Sequence, residues 1–269
     1  MFDRFQPFGY EVYLLNSTIT TATKKTFNLA DKRFVKQVVR LIGLPHFGAR
    51  LRAYHLNKLL NTLPAARDIL DAGCGMGLNS FLAVRRHRIV TGIDTDKEKI
   101  RLARSMKKAK QYSSASFTVG DLTQLTLPAN SFDAVICFEV LEHIKNDRKA
   151  VSEIARVLKQ NGVLLLSVPG QGIISRINQE SKQHVREGYS KLELQKLLGK
   201  NSLRLERMMA VEHTPLGFMV RYINDEIGRK SLVAVTIFFP LFLVLGIVDS
   251  FFPEMIVPNN WIVVARKTS

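Results

Sequence analysis

Acidic residues are scarce in this chain. Only 23 Asp and Glu stand against 39 Lys and Arg among 269 residues, a formal charge of +16. That imbalance points to a polyanionic partner, either nucleic acid or an anionic lipid surface. Cysteine is nearly absent. Cys74 and Cys137 both sit in apolar stretches, and two such residues build neither a disulfide scaffold nor a cysteine-based zinc site, so a reducing cytosol is the expected compartment. The first residues, Met-Phe-Asp-Arg-Phe-Gln-Pro, lack the basic and then apolar pattern of a secretory leader. There is no repeat and no low-complexity tract. At 46% hydrophobic and 23% charged residues, the composition excludes disorder, collagen and a disulfide mini-protein, and the length suits one large α/β domain with additions.

The character of the chain changes twice. Residues 1–64 carry ten Lys/Arg against three Asp/Glu and contain helical stretches at 34–44 and 51–63, which makes them a basic helical extension. From Asp68 onward, short apolar runs alternate with amphipathic segments. Strands are expected around 69–70, 89–93, 117–119, 134–138 and 163–168, and such alternation implies a parallel sheet. Thr95 and Glu98 predict a capping box ahead of Ile100, Ala103 and Met106. Asp147 predicts the cap of a helix carrying Ala150, Val151, Ile154, Val157 and Leu158, with Asn161-Gly162 as its left-handed stop. Ser190 and Glu193 predict a second capping box, and two more strands follow at Leu203–Val211 and 261–265.

The most informative stretch is Ile69-Leu70-Asp71-Ala72-Gly73-Cys74-Gly75-Met76-Gly77-Leu78, where an apolar strand runs into a glycine-rich turn and then a helix. Glycines there permit close backbone approach to a ligand. The dinucleotide pattern G-x-G-x-x-G is missing, because its sixth position falls on Leu78 or Ser80. D-x-G-x-G-x-G instead resembles motif I of the class I S-adenosylmethionine-dependent methyltransferases. Four further elements follow in that family's order: Asp94 ending the second strand, Gly120-Asp121-Leu122 after the third, Ser131 to Cys137 running into Glu139-Val140-Leu141-Glu142-His143, and Val157 to Leu164 closing the nucleotide half. The resemblance covers about 65–170.

It implies a Rossmann-like α/β fold: a seven-stranded, mostly parallel sheet with helices on both faces. The organisation expected is a basic extension (1–64), an S-adenosylmethionine-binding core (65–212), an apolar insertion (213–259) and a last strand (260–269) that pairs with the sixth and runs antiparallel. The same resemblance implies that Asp71, Gly73, Gly75 and Gly77 line the methionine and ribose end of the cofactor, S-adenosyl-L-methionine. Asp94 would hold the ribose, Asp121 and Leu122 the adenine, and Phe138 and Glu139 would border the methyl group.

Methyl transfer from a sulfonium is an in-line displacement with a neutral leaving group, so orientation and exclusion of water carry most of it. A base is needed only for a protonated acceptor, and the candidates are His143 and His184. The loop holding His184, Arg186 and Tyr189 is expected to face the acceptor. Glu139, Glu142 and His143 at i, i+3 and i+4 would share one face of a helix and could hold a divalent cation, but no metal is assigned.

Residues 231–248 contain no charged residue, and Pro240 lies near their middle. The family resemblance places both flanking strands in one sheet, which excludes a single membrane crossing. Two halves bent at Pro240 could enter and return, or the segment could lie in the interface with Phe238, Phe239, Phe242, Phe251 and Phe252 inserted; the other reading is a buried helix or a dimer interface hidden from lipid. Arg229-Lys230 and Arg266-Lys267 suit an anionic cytoplasmic leaflet. The expectation is a monotopic or re-entrant methyltransferase acting on a small or lipid acceptor at the cytoplasmic face of a membrane. The alternatives are a cytoplasmic soluble enzyme, an RNA or protein methyltransferase using the seven Lys/Arg of Lys97–Lys110, and a non-catalytic binding protein.

Overall fold

The computed structural model describes residues 47–63, 65–172, 185–230 and 232–268. The helix expected at 34–44 and His184 lie outside them. The elements in chain order are α1 (Phe47–Asn61), β1 (Asp68–Ala72), α2 (Leu78–Val84), β2 (Ile89–Asp94), α3 (Lys97–Lys110), β3 (Ala115–Val119), β4 (Phe132–Phe138), a 3₁₀ turn (Leu141–His143), α4 (Asp147–Val157), β5 (Leu158–Pro169), α5 (Lys191–Gly199), β6 (Leu203–Val211), α6 (Pro215–Lys230), α7 (Leu232–Asp249) and β7 (Asn260–Lys267).

The strands form one seven-stranded sheet in the order β3-β2-β1-β4-β5-β7-β6. Strands β1 to β5 pair in parallel, and β7 lies between β5 and β6, antiparallel to both. The central strands β1, β4 and β5 are buried on both faces, which is why they read as largely apolar runs, while the edge strands β3 and β6 expose part of one face. Leu164, Leu166 and Val168 of β5 pack on one side with Ala150, Val151 and Ile154 of α4 and Leu194 and Leu198 of α5. Val163 and Leu165 point the other way, into a cluster with Phe47, Leu51 and Leu56 of α1, Val220 of α6, and Phe239 and Phe242 of α7. A third cluster joins Phe81 of α2, Ile100, Ala103 and Met106 of α3, and Phe117 of β3.

Local signals set the helix ends, with three corrections. The N-cap of α3 is Asp96, whose carboxylate accepts from the N–H groups of Glu98 and Lys99, so the expected Thr95 box does not form. Asn146, not Asp147, caps α4. The Ser190 and Glu193 box is fully made. Helix α4 ends on extended Leu158, so Asn161, although left-handed (φ 62°), turns the chain inside β5 and does not stop the helix.

The apolar run departs most from expectation. Helix α7 is continuous through Pro240, with no two halves returning on each other. Phe239 and Phe242 are buried in the core, each worth roughly 1.5–3 kcal/mol on burial, whereas Ile237, Leu241, Val244 and Val248 form an exposed stripe at helical spacing. Phe238, Phe251 and Phe252 are exposed with them. Among the described residues no helix is long and apolar enough to cross a membrane. A polar clasp ties α7 to α6: the buried Asp249 carboxylate accepts from the N–H groups of His213 and Thr214, both at 3.2 Å, and from the Thr214 hydroxyl. Arg266, expected as a lipid-facing flank, instead lies along the Glu206 carboxylate at 2.6 Å.

Candidate active site

At the carboxyl ends of β1, β2 and β4 lies a cavity of about 830 Å³. Its floor is the turn after β1. The N–H groups of Gly73 and Cys74 both donate to the Ile93 carbonyl, which pins the turn to β2. Gly73 has φ +79°, and a Cβ there would stand 2.4 Å from Val140, so both conformation and space demand glycine. Gly75 also has positive φ, but an added Cβ would find nothing nearer than Lys99 at 4.0 Å, because that position faces the cavity. Its N–H donates to Asp94 Oδ2 (2.8 Å), while Asp94 Oδ1 accepts from Asp96 N–H (2.9 Å). Each carboxylate oxygen keeps a second lone-pair site for a ribose hydroxyl. At the far wall, Asp121 Oδ1 accepts from Thr123 N–H and the Thr123 hydroxyl, which fixes its orientation beside Leu122.

Seven of the nine cofactor residues expected from the sequence line this one cavity: Gly73, Gly75, Asp94, Asp121, Leu122, Phe138 and Glu139. His143 joins them. Asp71 and Gly77 do not. Asp71 is buried behind the turn and accepts from the Ser80 hydroxyl, tying β1 to α2. Burial pushes its carboxyl up to about 7. Gly77 (φ 85°) opens α2, and a Cβ there would press on Phe117. Cys74 borders the cavity, but burial raises its thiol, which keeps it protonated and inert.

The side of the cavity next to Glu139 is walled by residues that no motif signals. Ala49 and Arg52 of α1 reach over it. Arg52 pairs with Glu139 Oε2 at 3.3 Å, while Glu139 Oε1 accepts from the Ser167 hydroxyl (2.8 Å) and the Asn260 amide (2.7 Å). Glu139 is itself left-handed (φ 57°), a conformation that costs a non-glycine residue on the order of 1 kcal/mol and that three partners, one each from α1, β5 and β7, hold in place.

The expected E-x-x-E-H face does not assemble. The segment forms a 3₁₀ turn in place of an α-helix, and Glu142 is turned inward at 1% exposure while His143 stays 40% exposed. Burial, then the neighbouring Glu139 charge, drives the Glu142 carboxyl well above its ordinary range. Among the described residues no group of three or more His, Cys, Asp or Glu is placed to hold a metal ion. The acceptor-side expectation for Tyr189 also fails: Tyr189 is fully buried, its hydroxyl donates to Asp147 Oδ2 (3.0 Å), and the Arg186 guanidinium covers its ring at 4.4 Å while pairing with Asp147.

A family model described as a methyltransferase domain matches residues 70–166. The chain is 34% identical over 151 residues to a probable S-adenosylmethionine-dependent methyltransferase of Mycolicibacterium smegmatis, covering 55% of this chain and 56% of that one. It is 32% identical over 166 residues to the ubiquinone biosynthesis O-methyltransferase of Xanthomonas axonopodis pv. citri, covering 56% of this chain and 69% of that one. It therefore spans little more than half the length of the Mycolicibacterium relative. Among solved structures, the YcgJ protein of Bacillus subtilis superposes with a TM-score of 0.56 at 23% identity, over 80% of this chain and 99% of that one, a likeness in fold. The glycine turn, the Asp94 contact and these matches agree: the chain belongs to the class I S-adenosylmethionine-dependent methyltransferases.

Proposed function

We propose that this protein transfers a methyl group from S-adenosylmethionine to a small, lipid-soluble or membrane-presented acceptor, working at the cytoplasmic surface of a membrane. The cofactor supplies a sulfonium-bound methyl group and leaves as a neutral thioether. Its fit rests on the cradle in which Gly73 and Gly75 leave no side chain between backbone and cavity, and on Asp94 aimed into the same space. Gly73, Gly75 and Asp94 bind the methionine and ribose end, and Asp121 and Leu122 bind the adenine. Phe138 and Val140 exclude water, and Glu139, held by Arg52, Ser167 and Asn260, orients the methyl end. His143 or His184 accepts the acceptor's proton where the acceptor is a hydroxyl.

The observation that carries the membrane part is the exposed stripe Ile237, Leu241, Val244 and Val248, because α7 packs with the same α1 that walls the methyl end. Exposed apolar surface of this extent marks a lipid or protein contact. The Xanthomonas relative, by its name, acts in the synthesis of a lipid-soluble quinone, which agrees in chemical class. The RNA reading draws less support, since on the basic α3 face Arg104 is engaged by the Phe117 carbonyl and Arg101 by Glu98. The deciding experiment supplies methyl-labelled cofactor to a cell extract and separates lipid, RNA, protein and polar small-molecule fractions. Label in the lipid fraction is expected, and label confined to RNA or protein overturns the acceptor class.

A further inference from the structure

A second cavity, about 1100 Å³ in volume, opens at the opposite, amino-terminal end of the strands and shares no lining residue with the cofactor cavity. Arg50, Arg67, Arg85, Arg86, His87 and Arg88 line it, and no described Asp or Glu does. Its other wall is aliphatic, made by Leu243 and Ile247 of α7. The cationic side is built, not a loose spray of surface charge. Arg86 donates from Nε to Asn57 Oδ1 (2.8 Å) and also reaches Asn61, and these are neutral amides that fix the guanidinium without cancelling its charge. Arg88 donates to the Leu63 carbonyl (2.7 Å) and to Ala66, and Arg85 donates to the Tyr112 hydroxyl (3.1 Å). Arg67 makes no side-chain bond among the described residues and is exposed at the rim.

The aliphatic wall leads straight outward. Leu243 and Ile247 are each one residue, about 100° of helix, from Val244 and Val248 of the exposed stripe. Fixed guanidiniums beside an apolar strip that faces solvent complement one kind of molecule, an anionic head joined to hydrocarbon. We propose that this cavity seats the phosphate-bearing headgroup of an anionic phospholipid, with its acyl chains along the α7 stripe. The inference rests on the membrane part of the proposed function and adds the lipid class and the residues that select it. Helix α1 spans the two cavities, with Arg52 at the cofactor end and Asn57 and Asn61 at the lipid end.

The test is flotation of the full chain with vesicles of phosphatidylcholine, with and without phosphatidylglycerol. Phosphatidylglycerol is expected to raise affinity by on the order of 100-fold. The double change R67Q/R86Q should cut that gain by roughly 30-fold. K97Q/K108Q, which removes the same charge from the distant α3 face, should cut it less than about threefold. Arg67→Gln alone, expected to lose roughly fivefold, serves where loss of the Arg86 amide contacts unfolds the double variant. Val244→Glu should abolish binding to both vesicle types. Cofactor calorimetry on every variant reports whether the fold and the other cavity are intact. Equal losses in R67Q/R86Q and K97Q/K108Q overturn the site, because net charge alone would then explain binding. Equal affinity for both vesicle types overturns it while leaving the membrane reading standing, and no binding to either removes both.

Discussion

The cofactor turn and the helical cover of α1, α6 and α7 solve their problems with different parts of the chain. In the turn the backbone does the work. Gly73 and Gly75 take positive φ and the Gly75 N–H is aimed by Asp94, all within a short stretch of the β1–β2 unit. In the cover, side chains distant in sequence meet: Arg52 with Glu139, Phe47 against Gly246, Asp249 with His213 and Thr214. Backbone sites tolerate few residue types and fail abruptly, while side-chain assemblies fail by degrees.

The sharpest way to expose that contrast is Gly73→Val. It forces a β-branched residue into left-handed φ and into Val140, so cofactor affinity should fall by more than about 100-fold with several kcal/mol of stability, read by calorimetry and thermal melting. Gly75→Val meets nothing nearer than 4.0 Å at its Cβ but strains the same positive φ; a folded protein with little remaining affinity would show that backbone conformation and the cavity, not packing against neighbours, require glycine there. Next in size, Asp94→Ala removes the Gly75 anchor and the carboxylate proposed to hold the ribose, for a roughly ten- to hundred-fold loss of affinity; unchanged binding would dissociate the turn from the cofactor.

A pH titration of stability probes Asp71. In the unfolded chain this carboxyl ionises near 3.8, but in the fold only near 7, so unfolding releases a proton between those values and stability falls as pH rises through that window. The loss is a few kcal/mol at most and is complete above about pH 7. Asp71→Asn should flatten the curve, and an equally steep curve in that variant would assign the slope elsewhere. The smallest effect is expected from Tyr189→Phe, about 1 kcal/mol from one lost hydrogen bond to Asp147, with turnover unchanged. A large loss of turnover would return Tyr189 to the acceptor side. For the cover, excising 231–252 is a poor probe, because it strips Phe239 and Phe242 from the core and bares Phe47. The surface change Val244→Glu is the cleaner one, and it should leave cofactor affinity intact.

The alternation of apolar runs sufficed for the parallel strands, because two-sided burial leaves a plain mark on composition, whereas the antiparallel last strand followed from the family resemblance. Motif spacing brought seven expected residues to one cavity for a similar reason, since each lies at the end of a strand or in the turn after it. What stayed illegible depends on side chains meeting across the fold. Nothing near Arg52 announces Glu139. The inward rotation of Glu142 follows from a 3₁₀ turn that its letters share with an α-helix. The apolar run marks α7 as hydrophobic throughout, but which residues face the core depends on where α1 and α6 lie, so the sequence offers Phe239 and Phe242 to the interface and leaves Ile237 and Leu241 unmarked. Thr95 lost the cap to its neighbour Asp96, a one-residue ambiguity common at helix starts.

The position of β7 has a consequence for the order in which the molecule comes together. A ribosome delivers β5 and β6 well before β7, yet β7 is the strand that separates them, pairing from Val163 to Pro169 on one side and from Leu203 to Val211 on the other. Until residues 260–267 have emerged, the β5 edge from Val163 to Pro169, apolar but for Ser167, has no partner, while α7 has already been delivered. Such an edge is a template for wrong pairing between nascent chains. Sheet closure is therefore a late event, and the interval before it is the period in which a chaperone, or a bilayer that takes up α7, has the most to protect.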